Sequence, residues 1–233
     1  VTVARWASYE PRERAQEGSA APTLTAGVSI RPATLDDARA VAAISIAREG
    51  TGDVEEETKR VLAGLGRPDV LLLVAEALAG SHGPLRDEPK AETGAMAGTL
   101  DDAATTGSPA PIADAGRIVG FGRAGWIDPA GRRGFRNVPA GWYLLGVVVV
   151  DAWRRQGIGR ELTRRRLAWI AERAPAAYFV ANARNRPSLD LHAALGFVEV
   201  RRDLQWPGMK FEGGTGVLSR CDLGLPATPG AVP

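Results

Sequence analysis

The chain predicts an α/β domain on a mixed sheet, and three observations lead to that class. Compact apolar or β-branched runs recur at residues 28–32, 70–76, 142–150, 178–182 and 217–223. Amphipathic stretches with helix start and stop signals separate some of these runs, at residues 38–45, 53–65, 157–173 and 187–195. Elsewhere two runs follow one another with no helix between them, so strands and helices alternate only in part, and the sheet is expected to be mixed.

Each element has a local reason. Residues 1–27 are rich in Ala, Pro, Glu, Arg and Gly without periodicity, and are expected to be a flexible extension. The first strand covers residues 28–32. Thr34 followed by Asp37 is a capping-box pattern with Asp in place of Glu or Gln. The helix it opens aligns Ala38, Val41 and Ile44 or Ser45 on one face. In the second helix, residues 53–65, Glu55, Glu56 and Glu57 occupy the first turn, where the helix dipole favours negative charge, and Gly66 and Pro68 end it. Residues 70–76 form a buried strand. Residues 80–116 are mostly small or polar, and a structureless run of that length suits a disordered insertion within a hairpin. The hairpin returns along residues 117–126, and a polar turn at 131–139 leads to the strand at 142–150. The helix at 157–173 is expected to bury Ile158, Leu162, Trp169 and Ile170 and to keep its arginines outside. Strand 178–182, helix 187–195 ended by Gly196, and strands 197–204 and 217–223 complete the domain, which spans residues 28–225. Residues 226–233 are a frayed tail.

Composition sets mild limits. With 233 residues, 45% of them hydrophobic, the chain can bury a core of one domain. A net charge of +2 gives no general case for nucleic acid, and Arg164, Arg165 and Arg166 suit a solvated helix face without stacking aromatics. The single cysteine, Cys221, excludes an internal disulfide framework and fits a reducing compartment. No apolar run approaches the roughly 20 residues needed to span a bilayer, so no membrane is expected as a partner. The first residues lack an apolar signal-peptide core, and the expected location is cytoplasmic. No metal site is expected.

The chemistry is concentrated in residues 147–160. A β-branched run (Val147, Val148, Val149) breaks into the basic turn Arg154, Arg155, Gln156, Gly157, Ile158, Gly159 and Arg160, which opens a helix. Glycines at 157 and 159 let backbone N–H groups face a ligand at a helix N-terminus, where they lack intrahelical partners and carry partial positive charge. Arginines suit phosphate geometry. The turn is not a Walker loop, for no Gly-Lys-Ser/Thr follows, and Leu at 162 breaks the dinucleotide fingerprint.

This turn has the Arg/Gln-x-x-Gly-x-Gly/Ala pattern of the GNAT acetyltransferase superfamily. A second block, running from Asn185 through Ser188, Leu191 and His192 to Gly196 and Phe197, is similar to that family's second signature. Ile30, Arg31, Pro32, Ala33 and Thr34 resemble its opening strand, and the likeness extends over residues 28–223 in the family's order. The resemblance implies a GNAT fold: a mostly antiparallel mixed sheet of six or seven strands, four main helices, and a V-shaped splay between the strands at 142–150 and 178–182. It also implies acetyl-CoA as co-substrate. The pyrophosphate would lie in the turn from Arg154 to Arg160, and pantetheine would pair with the backbone of Val147, Val148 and Val149. A backbone N–H there would polarise the thioester carbonyl. Asn185 and Ser188 match positions that touch the cofactor.

The resemblance implies direct transfer, with His192 at the position of a proton donor to the departing thiolate. His82, the other histidine, falls in the insertion. The family's glutamate base falls on Tyr143 here, which by period two shares a face with Val147 and Val149 and could orient substrate or water. Glu76 and Asp128 are further candidates, and a water relay would also serve. Trp126, Trp142, Trp206 and Phe211 are candidate pocket walls. The acceptor is expected to be a small amine or amino-acid-like molecule. A peptide N-terminus is the alternative, a non-catalytic acyl-CoA sensor another, and a homodimer is left open.

Overall fold

The structure is a computed structural model, and it describes Leu24 and residues 27–78, 117–209, 211 and 215–224. The expected extension, insertion and tail lie outside the described residues, apart from Leu24, Gly27 and the flanks of the hairpin.

Seven strands and four α-helices make up the described domain. Strand β1 (Val28–Pro32) is followed by a 3₁₀ turn and helix α1 (Ala38–Glu49), then α2 (Val54–Gly64). The capping pattern is realised by Asp37, whose Oδ2 accepts from Thr34 N at 2.7 Å and from Thr34 Oγ1 at 3.0 Å. Asp53 caps α2 by accepting from Glu56 N at 2.9 Å. Strands β2 (Val70–Ala77), β3 (Arg117–Ile127) and β4 (Gly141–Val149) form a meander that feeds α3 (Ile158–Ala171). Strand β5 (Ala176–Asn182), helix α4 (Arg186–Ala193), β6 (Val198–Arg201) and β7 (Gly216–Asp222) follow. The sheet order is β1-β2-β3-β4-β5-β7-β6, and only β4 and β5 are parallel among its pairs.

Period-two alternation sorts the core onto two faces. Leu73 and Ala75 of β2 pack with Ile158 and Leu162 of α3, while Leu72 and Val74 pack with Ala38 and Val41 of α1. Thus α3 covers one face and α1 the other. The β5 residues Ala177, Phe179 and Ala181 join the α3 face, and Tyr178 and Val180 join the opposite one.

A bulge in β4 changes the predicted register. Ala124 pairs with Leu144 and Gly122 with Val147, so two steps along β3 match three along β4. The extra residue turns at Gly146, whose φ of 104° is open to glycine without strain. Alternation therefore slips by one. Leu144 faces α3 before the bulge, and Val147 and Val149 face it afterwards. Tyr143 packs on the other face with Leu218 and Leu204, which corrects its expected alignment with Val147 and Val149.

Candidate active site

β4 and β5 pair only at Tyr143 with Tyr178 and Leu144 with Phe179. Beyond the bulge the two strands part, and their C-terminal ends open into the expected V. Such a parting at the carboxyl ends of parallel strands gives a ligand free access to strand backbone.

The end of β4 leads into the glycine turn. Arg154 is committed to the turn itself: its Nε donates to Val149 O at 3.1 Å and its guanidinium pairs with Asp151 at 2.6 Å. Arg155 and Gly157 both adopt left-handed backbone, with φ of 67° and 77°. Gly157 is the N-cap of α3 and supplies no side-chain acceptor, so the first-turn N–H groups of Ile158, Gly159 and Arg160 stay available. A Cβ on Gly159 would meet Val149 and Leu191 only at ordinary distances of 3.8 and 3.9 Å. Internal packing does not require that glycine. A glycine there leaves the helix N-terminus open, the kind of place where an anion can be held.

Arg166 departs from expectation. It lies one turn beyond Leu162 and one before Ile170, on the buried stripe, and has no solvent exposure. Its Nε donates to Leu162 O at 3.0 Å and its Nη2 to Thr163 Oγ1 at 2.9 Å. Its Nη1 reaches Arg123 O at 2.9 Å and Gly146 O at 2.8 Å, so the guanidinium holds the bulge. Gly122 makes the room, since a Cβ there would stand 2.9 Å from Arg166 Cζ. Among the described residues no carboxylate pairs with it. Burial pushes its pKa down to about 9, which leaves it protonated at neutral pH. The apolar spacing of α3 and the glycines of β3 were the signals for this residue in the sequence.

His192 is buried and stacked on Phe179, with ring centroids 3.5 Å apart. Its Nδ1 lies 2.7 Å from Ser188 O, which can only accept, so Nδ1 carries the proton. Nε2 is then a buried acceptor without a partner among the described residues. Burial, opposed by the bond to Ser188 O and aided by nearby Arg166, pushes the imidazole pKa down to about 4. A neutral ring in this tautomer presents Nε2 as an acceptor. Asn185 caps α4 by accepting from Ser188 N at 3.3 Å, so it and Ser188 fix the helix that carries His192.

On the face away from α3, Tyr143 stacks on Tyr178, and Trp206 meets Tyr143 edge-on. Phe135 and Phe211 pack on the same cluster. The Tyr143 hydroxyl donates to Pro139 O at 2.7 Å, and burial pushes its pKa up, so it is unsuited to act as a base. Trp142 lies on the α3 face instead, edge-on to Trp169 and Trp126, because it sits before the bulge. Trp126 and Trp142 are therefore not walls of this face, whereas Trp206 and Phe211 are placed to be. Glu76 is held by Arg31 at 2.7 Å, and Asp128 accepts from Ala130 N in its own turn. Arg123, opposite Leu72 on β3, faces α2: it is reached by solvent yet crowded enough that burial lowers its pKa, and Glu57 is nearby. No hydrogen bond or ion pair holds its guanidinium among the described residues. Nor do those residues include a cluster of three or more His, Cys, Asp or Glu able to hold a metal ion. No helix among them is long and apolar enough to cross a membrane.

Comparisons with known proteins agree with this geometry. The profile of the Acetyltransferase (GNAT) family matches residues 76–197, slightly more than half of the chain. No curated protein matches significantly in sequence. Among solved structures, NAA60 of Arabidopsis thaliana in complex with a bisubstrate analogue shares 16% identity at a TM-score of 0.53, covering 84% of this chain and 98% of that one. The yncA structure from Salmonella typhimurium, with its cofactor acetyl-CoA, shares 19% at 0.53, covering 88% and 99%. The acetyltransferase of GNAT family from Streptococcus pneumoniae shares 16% at 0.51, covering 84% and 99%. These likenesses are of fold. With the family profile over the splay, the glycine turn and α4, they establish that the chain belongs to the GNAT acetyltransferase family, enzymes that take their acetyl group from acetyl-CoA.

Proposed function

We propose that the chain moves an acetyl group from acetyl-CoA to the primary amine of a small, amino-acid-like molecule by direct transfer. In this reading the pyrophosphate sits on the N–H groups of Ile158, Gly159 and Arg160, with Arg155, Gln156 and Arg160 beside it. Arg154 shapes the turn through Asp151 and Val149 O. Pantetheine runs along the backbone of Val147, Val148 and Val149, where β5 has turned away. Asn185 and Ser188 border the donor through α4. The amine attacks the thioester carbon from the face of Tyr143 and Trp206. The C–N bond forms, the C–S bond breaks, and the proton lost by nitrogen balances the thiolate. Stabilising the oxyanion by backbone donors is the largest contribution such a site can make. Tyr143 and His192 serve by packing and orientation, and the proton leaves through water.

One observation supports a small acceptor with an acidic group: the solvent-reached Arg123 guanidinium, which has no hydrogen-bond or ion-pair partner among the described residues. An acceptor carboxylate would supply the missing partner through a charge-assisted bond. The loop before β4 is also tied to the one before β7, where Arg136 N and Gln205 O lie 3.1 Å apart and Gln205 N and Arg136 O 3.0 Å. The test is a screen of amino acids, simple amines and N-terminal peptides, with product mass spectrometry. Acetylated amino-acid-like amines are the expected product. Activity confined to peptides would replace this acceptor class, and tight acetyl-CoA binding with no transfer would leave a sensor.

A further inference from the structure

We propose that Arg166 is a positioning residue whose charge strengthens the backbone donor of the oxyanion site, acting through the peptide bond between Gly146 and Val147. The inference rests on the proposed role of the β4 backbone. A trans peptide holds its N–H opposite to its C=O. Gly146 O points at Arg166 Nη1, 2.8 Å away on the α3 side. The Val147 N–H therefore points away from Arg166, toward the side from which the acceptor would come. A cation on the carbonyl draws electron density from the peptide and makes its N–H a better donor.

Three features argue that the charge matters as well as the volume. A buried cation with no carboxylate is costly, and an apolar side chain of similar size often packs as well or better. Among the described residues every hydrogen-bond partner of the guanidinium is a neutral oxygen, and two of the four are strand carbonyls at the bulge. The same network reaches the phosphate turn: Thr163 Oγ1, which accepts from Arg166, donates to Gly159 O at 2.8 Å. One guanidinium thus fixes the bulge relative to the first turn of α3. When a thioester carbonyl gains negative charge at the far side of the 146–147 peptide, the uncompensated cation acquires its counter-charge.

The test uses the intact protein with acetyl-CoA labelled with carbon-13 at the thioester carbonyl. Infrared difference spectra report the carbonyl band, titration calorimetry the dissociation constant, and thiol release the turnover. In the wild-type protein the band should move to lower frequency on binding. In Arg166→Met it should return toward the free value, with thiol release down by roughly 100-fold, as for a lost oxyanion donor, and acetyl-CoA affinity changed less than about 3-fold. Arg166→Lys, which keeps a charge, should recover part of both. Gly122→Ala provides a second route, because its Cβ would crowd Arg166 Cζ and Nε at 2.9 Å and move the charge without removing it. It should weaken the band shift with the fold intact. An unchanged band and rate in Gly122→Ala and in a folded Arg166→Met would overturn the proposal. So would a full return of function in a neutral Arg166→Gln. A wild-type protein that binds acetyl-CoA with no band shift would instead bring down the underlying backbone reading.

Discussion

The proposed donor end and the proposed acceptor face of this molecule are built on opposite logic. The donor end is one continuous stretch, residues 147–160, whose chemistry lies in backbone groups shaped by Gly146, Gly157 and Gly159. The proposed acceptor face draws side chains from four places: Arg123 on β3, beside the clustered Tyr143 on β4, Tyr178 on β5 and Trp206 before β7. A backbone site depends on φ values and on the absence of side chains, and both leave a mark in a short sequence. A side-chain site depends on which residues face one another across strands, so a one-residue slip rewrites it.

The largest expected effect breaks the donor end. Gly159→Asp puts a carboxylate at the N-terminus of α3, where packing has ordinary room for a Cβ and the fold should persist. Its negative charge competes with the phosphate for the same N–H groups. Acetyl-CoA affinity should fall on the order of 1,000-fold, about 4 kcal/mol, measured by calorimetry. Melting should shift little, and affinity within a few-fold of wild type would remove the pyrophosphate from this turn.

The next effect sharpens the comparison through pH, because the donor side buries His192. Its folded pKa of about 4 lies below the ordinary value of about 6.5, so the unfolded chain binds more protons between those values. The stability this gives is complete above about pH 6.5 and is lost as pH falls toward 4, by about 3 kcal/mol. Urea unfolding at pH 7.5 and pH 5 should show most of that slope in the wild-type chain. His192→Phe should flatten it and keep turnover at pH 7.5 within a few-fold. A variant with the wild-type slope would mean that the ring is charged or exposed in the fold.

The sequence made the donor end legible because its signals are local. The strand, the glycine spacing and the second block from Asn185 to Phe197 survive errors of register. The sheet class and the splay were legible for the same reason. What escaped depended on Gly146: counting by twos through residues 143–149 assumes an unbroken strand, and one left-handed glycine reverses it. That single residue moved Tyr143 from the face of Val147 and Val149 to the opposite one. Arg166 escaped for a different reason. Arginine is assigned to solvent by default, although its place between Leu162 and Ile170 on the helix stripe said otherwise. The partial charge partners that make burial tolerable are carbonyls of β3 and β4, which no spacing in α3 could reveal.

On the acceptor face, Arg123→Met should lower kcat/KM for amines that carry a carboxylate by roughly 10- to 30-fold, about 2 kcal/mol, the scale of one charge-assisted bond. Simple amines of the same shape should be spared, and acetyl-CoA affinity should not move. Equal losses for both amine classes would assign Arg123 to the fold, and the donor end would then be the only part of the site whose charge is dedicated to a ligand.

The smallest effect decides whether the acceptor face takes part in proton transfer. Tyr143 buries its ring against Tyr178 and gives its hydroxyl proton to Pro139 O at 2.7 Å. Burial and the neighbouring Tyr178 push the phenol pKa up, so the group stays protonated wherever the enzyme would work. Tyr143→Phe removes one hydrogen bond from a carbonyl and leaves the stacked ring. Stability should drop by about 1 kcal/mol, read from the unfolding midpoint. The pH dependence of kcat/KM should keep its shape, because no titrating group has been lost. A basic limb that moves or vanishes in this variant would show that the phenol exchanges a proton with the acceptor. The acceptor face would then contribute chemistry as well as shape, and the division between a backbone donor end and a side-chain acceptor face would have to include catalysis on both sides.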